Sequence, residues 1–173
     1  MTSKEVNPNR HKPKFRRWQS RCPAATRFLS EEIEHRFVPL CSDNGYEWVD
    51  VWLRDRSISI SGNEIVLEKC SADHISYVYI AFDKRLSPRF QILCAKRSIS
   101  SGNEFIHSGN LVEKSGEYYH FWGKPWWVPL SMWFDTNSIN IVSKVVSIGS
   151  QIFPFLESGE RGPNIGRSVH VNR

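Results

Sequence analysis

Residues 64–97 read EIVLEKCSADHISYVYIAFDKRLSPRFQILCAKR, and this stretch decides the fold. β-Branched and aromatic residues fill three runs of strand length, Glu64–Cys70, His74–Phe82 and Arg89–Arg97. A turn separates Cys70 from His74, and Pro88 marks the loop before the third run. Upstream, Tyr46–Leu53 alternates with period two, and both of its faces are partly apolar, so a strand covered on both sides is expected. A further strand is expected at Ser57–Ile60, joined to Glu64–Cys70 by a tight hairpin at Ser61-Gly62-Asn63. Glu117–Trp122 carries a weaker strand signal.

Helical spacing brackets these strands. Phe28, Leu29, Ile33, Phe37 and Leu40 recur at three- and four-residue intervals, which predicts a helix from Arg27 to Val38. Thr26 or Ser30 can cap it, three glutamates favour its positive end, and Pro39 opposes its continuation. Ile141, Val145, Ile148, Ile152 and Phe155 predict a closing helix over Ser138–Leu156, capped by Asn137 or Ser138, with Pro154 kinking its last turn. Helix, antiparallel strands and helix define an α+β domain: a sheet of about five to six strands with an N-terminal and a C-terminal helix packed on one face.

Charge divides the chain differently. Of the net +5, residues 1–21 hold seven cations, Lys4, Arg10, Lys12, Lys14, Arg16, Arg17 and Arg21, against Glu5 alone, which leaves the remainder close to neutral at −1. The expected organisation is a basic, disordered arm over 1–22, one α+β domain over 23–160 and a loose tail over 161–173. Such an arm suits nucleic-acid phosphates: Arg10, Lys12, Lys14, Arg16, Arg17 and Arg21 would neutralise charge while Phe15 and Trp18 stack on unpaired bases. An acidic protein partner and a solvated extension with no specific role are the competing readings of the same arm.

The other distinctive segment is His120-Phe121-Trp122-Gly123-Lys124-Pro125-Trp126-Trp127-Val128-Pro129-Leu130-Ser131-Met132-Trp133, which holds four of the seven tryptophans. Its prolines and glycine exclude one continuous helix or a central strand. Two readings compete. In one, Trp122, Trp126, Trp127 and Trp133 brace the sheet end or the last helix; in the other, His120, Trp122, Lys124, Trp126 and Trp127 form a ligand or partner surface. Adjacent residues in an extended segment point to opposite sides, so Trp127 is expected to pack inward against Val51 and Ile148 and Trp126 to be exposed.

Several activities are argued down by geometry. A metal-dependent nuclease needs Glu-x-Lys on one strand face, but here Glu68 and Lys69 are adjacent, and Asp55 completes no such set. Glu31 and His35 lack the second histidine of a zinc-protease helix. Cys22, Cys41, Cys70 and Cys94 have no metal-ligand or redox spacing and are expected to be buried free thiols. Cys70 and His74 stand four residues apart across a turn, a weak nucleophile signal. His107 or His120 with Glu113 or Glu117 is the remaining hydrolase candidate.

The echo of Arg56–Ile65 in Arg97–Ile106 is reused turn chemistry, since no third copy follows. Neither a secretory leader nor an apolar run near 20 residues stands out. The expectation is therefore a soluble, cytoplasmic binding domain with no metal or cofactor and no membrane association. It works on another protein through the aromatic segment, with arm-led nucleic-acid binding or an unrecognised hydrolase site as alternatives.

Overall fold

The computed structural model describes residues 12–51, 60–101 and 104–167. Its helices are α1 (Pro13–Arg21), α2 (Ala24–Glu32), a π-helical segment (Ile33–Phe37), α3 (Val38–Asp43), α4 (Asp135–Gly149) and α5 (Ile152–Ser158). Its strands are β1 (Glu47–Val49), β2 (Glu64–Cys70), β3 (His74–Phe82), β4 (Arg89–Ser98), β5 (Phe105–Leu111), β6 (Trp122–Gly123) and β7 (Ile165–Arg167). The sheet is open, antiparallel and ordered β1-β2-β3-β4-β5-β7, with β6 pairing the start of β4. The α+β architecture expected from the sequence is the one observed, with seven strands among the described residues.

Register explains which side chains form the core. Trp48, Leu67, Val78 and Cys94 stand opposite one another across β1 to β4, and Phe82, Phe90 and Trp122 do so further along. These residues share one face, and the helices cover it. Phe15 of α1 meets Trp48 edge-on at 5.2 Å and Trp18 lies 5.1 Å from Phe82, while Phe155 of α5 lies 5.7 Å from His107 of β5. Leu29, Ile33, Phe37, Val142, Val145 and Ile152 complete the buried cluster.

Helix boundaries depart from expectation for identifiable reasons. Pro39 does not end the first long helix. The chain widens to π-helical bonding just before it, with the Val38 N–H donating to the Ile33 carbonyl, so the proline ring meets a loosened turn. The closing helix breaks at Ser150–Gln151, so Pro154 falls in the first turn of α5, where no intrahelical donor is needed. Asn137 helps start α4: its side chain accepts the Phe134 N–H at 2.9 Å. Asp135–Ser158 is long and apolar enough by length and composition to cross a bilayer, which the run-length reading missed. Here both halves bury side chains in the core, among them Val142, Val145, Ile152 and Phe155.

Two domain boundaries are corrected. The basic arm is not disordered over 13–21: those residues form α1, with Phe15 and Trp18 in the core. The tail is not loose throughout, because Ile165–Arg167 pairs with β5. The expected strand at Ser57–Ile60 lies outside the described residues except for Ile60, whose N–H donates to the Asp50 carbonyl. Residues 1–11 and 168–173 lie outside them as well.

Candidate recognition surface

The aromatic segment begins where β5 hands the chain to a loop at Val112. Trp122 then returns to the core, fully buried, with its indole N–H donating to the Leu111 carbonyl at 3.1 Å. Gly123 has φ +113, and a Cβ there would lie 2.3 Å from the Pro88 carbonyl oxygen. Only glycine permits that conformation and that approach. Lys124 follows with its N–H donating to Pro88, locking the segment against the start of β4.

The turn proper is Pro125–Val128, closed by the Val128 N–H on the Pro125 carbonyl at 3.2 Å. Buried Lys124 folds back beneath it, and its ammonium donates to the Pro125 and Val128 carbonyls. Trp126 and Trp127 occupy the two central positions and are 80% and 68% exposed. Their rings meet edge to face at 5.9 Å. The expectation that Trp127 packs inward against Val51 and Ile148 is therefore overturned. It assumed extended backbone, whereas the central residues of a turn both project from its apex.

Downstream, a 3₁₀ turn at Leu130–Met132 and a 2.9 Å bond from the Trp133 indole to the Ser138 hydroxyl return the chain to α4. Tyr119, Phe121, Met132 and Phe134 are also exposed, and the Arg89 guanidinium sits 5.0 Å over the Phe121 ring. Each tryptophan left in water forgoes about 3–5 kcal/mol of transfer free energy. The segment is braced at its base and apolar at its tip.

Of the expected histidine–carboxylate pairings, the structure brings together His120 with both Glu113 and Glu117. His120 packs edge-on against Trp122 at 4.5 Å and turns both ring nitrogens to carboxylates, Glu117 at 3.2 Å and Glu113 at 3.6 Å. Lys144 also pairs with Glu113, and that hydrogen bond, then the Lys144 and His120 charges, holds the Glu113 carboxyl below its usual range. His107 lies instead beneath α5 and shares no partner with His120 among the described residues, so the two histidines do not form one site. Trp122 and Lys124 are withdrawn from the candidate surface, since both are buried supports. Trp126 and Trp127 remain on it.

The expected nucleic-acid surface is broken up in a similar way. Lys12 is buried, donating to the Trp48 carbonyl at 2.5 Å and pairing with Asp50 at 3.4 Å. Arg16 forks onto both Glu34 oxygens at 2.7 Å. Phe15 and Trp18 are core rather than stacking platforms. Lys14, Arg17 and Arg21 face solvent, and Arg10 lies outside the described residues. Three thiols are buried, and burial pushes Cys41 and Cys94 up to about 12; Cys70, at the end of β2, is exposed instead. Among the described residues no cluster of three or more acidic, histidine or cysteine side chains is placed to hold a metal.

Sequence reading missed Tyr119, Phe121, Met132 and Phe134, although the density of aromatics around them was the available signal. Comparison with known proteins finds no family model, curated protein or solved structure that matches the chain.

Proposed function

We propose that the chain is a binding domain that recognises another protein through the Trp126–Trp127 turn. The observation that carries this reading is the exposure of both tryptophans on a turn whose base is fixed by Lys124, Gly123 and Trp122. Tryptophan, tyrosine, arginine and methionine are the residues enriched at the centres of protein interfaces. A pre-ordered loop spends little further entropy on binding, which favours affinity from a small contact. Contiguous exposed apolar surface of this kind is otherwise a liability for a soluble chain.

The test is photo-crosslinking from a probe placed at the exposed Ser131, with Trp126→Ala/Trp127→Ala as control. The crosslinked protein, purified, should bind the wild type at least about 30-fold tighter than the double variant, at unchanged urea midpoint. Equal affinity for both proteins would overturn the reading. So would tryptophan-dependent sedimentation with lipid vesicles in the absence of any protein partner.

A further inference from the structure

A second feature, independent of the tryptophan turn, lies where β4, β5, α5 and β7 meet. Lys96 and His107 stand opposite each other in the β4–β5 register, on the helix-covered face. Pairing of β7 with β5 sets Arg167 opposite Gly109, two residues along the same face from His107. Arg161 arrives from the loop after α5. His107, Arg161 and Arg167, with Phe105, Ile106 and Phe155, line an open cleft of about 530 Å³.

The charge in this cleft is one-sided, for no carboxylate is among its described lining residues. Arg161 of the lining and Lys96, the register partner of His107, are held in place by backbone oxygens. Lys96 donates to the Glu157 carbonyl at 3.2 Å, and Arg161 donates to Gly166 at 2.8 Å and more loosely to Ser108 and Ile165. Gly159 turns the chain at φ +81 directly against His107, where any Cβ would lie 2.6 Å from the imidazole. Burial, followed by the charges of Lys96 and Arg161, holds the His107 imidazole below its ordinary value. Such crowding of like charge opposes folding, and a bound anion relieves it. The Arg167 guanidinium makes no hydrogen bond or ion pair with any described residue, so its planar fork is available to a ligand.

We propose that this cleft binds a small aryl phosphate, with Arg167 clamping the phosphate, His107 beside it, and Phe105 and Ile106 against the ring. Two permanent cations of the lining, Arg161 and Arg167, match a dianionic phosphate better than a single carboxylate. The exposed Ile106 side chain gives the ring an apolar wall beside Phe105, whose own ring carries the Arg97 guanidinium at 3.7 Å, and the volume falls in the range of small-molecule sites.

Isothermal titration of the full chain with phenyl phosphate, inorganic phosphate and phenol tests the assignment. Phenyl phosphate should bind, inorganic phosphate should bind at least about tenfold more weakly, and phenol should give no heat. Arg167→Ala should weaken phenyl phosphate about tenfold or more, the range for a lost charged hydrogen bond. Arg17→Ala, at an exposed position on α1, should change nothing. The His107 imidazole resonances should shift on titration in the wild type, a signal independent of any effect of Arg167→Ala on β7. The proposal fails if no probe binds at millimolar concentration, if inorganic phosphate binds as tightly as phenyl phosphate, or if wild type and Arg167→Ala bind alike.

Discussion

Helix α1 and the 125–128 turn are both short, aromatic and flanked by cations, yet their rings end on opposite sides of the protein surface. On α1, Phe15 and Trp18 stand three residues apart, so one helical stripe lowers both onto the sheet, and Cys22 just past the helix joins them in the core. Its cations do not prevent this, because Arg16 finds Glu34 and Lys12 finds Asp50. On the turn, Trp126 and Trp127 are adjacent at an apex and no single packing face can take both. Backbone geometry, rather than apolarity or local charge, decides which aromatic rings are buried.

The largest expected effect tests that contrast directly. Trp18→Ala should cost about 3–5 kcal/mol in urea melts, the range for emptying a buried aromatic site. Trp126→Ala should stay within about 0.5 kcal/mol of wild type, as exposed positions do. Similar losses in the two variants would mean that the regions do not differ as described.

The central hairpins were legible in the sequence because their signal is local. Glu64–Cys70 and His74–Phe82 are strands at the expected residues, and Arg89–Ser98 runs one residue past its expected end. β5 went unread because Ser108, Gly109 and Asn110 have low strand propensity and pair only through long-range register. β7 is three residues long and is defined by its partner rather than by its own pattern. α1 was hidden by charge: composition suggested disorder, while the spacing of Phe15 and Trp18 already fitted a helix. The aromatic segment was legible as unusual, but the turn at Pro125–Val128 that exposes both tryptophans was not.

The second prediction concerns the brace beneath the turn. Lys124→Ala removes the ammonium that holds the Pro125 and Val128 carbonyls and should cost about 1–3 kcal/mol. Hydrogen exchange of the Val128 amide, which closes the turn, should accelerate well beyond that of the neighbouring β4 amides. Unchanged exchange would mean that the turn holds its shape without Lys124.

A smaller effect is expected from the corresponding tie on α1. Glu34→Gln keeps the shape of the side chain but removes the charge facing Arg16, both groups being partly screened by solvent. The loss should be about 1 kcal/mol and should shrink as salt is raised. A loss that does not respond to salt would assign the pair a packing role instead of an electrostatic one.

The smallest effect comes from Lys12, the buried lysine that anchors α1 as Lys124 anchors the turn. Burial lowers the Lys12 pKa from its usual 10.5, and the charge and hydrogen bond of Asp50 offset only part of that shift. The sign follows from proton counting. Between the lowered folded value and 10.5 the unfolded chain holds more protons on this residue, so its contribution to stability rises with pH across that window and is level below it. The buried thiols act in the opposite direction: burial raises Cys41 and Cys94 to about 12, so their contribution falls as pH climbs above 9. Comparison with Lys12→Met removes the cysteine background, which both proteins share. The difference in unfolding free energy, wild type minus variant, should be level near neutrality and turn upward as pH approaches 10.5. A flat difference from pH 7 to 10 would place Lys12 in water, and α1 would then owe its position to Phe15 and Trp18 alone.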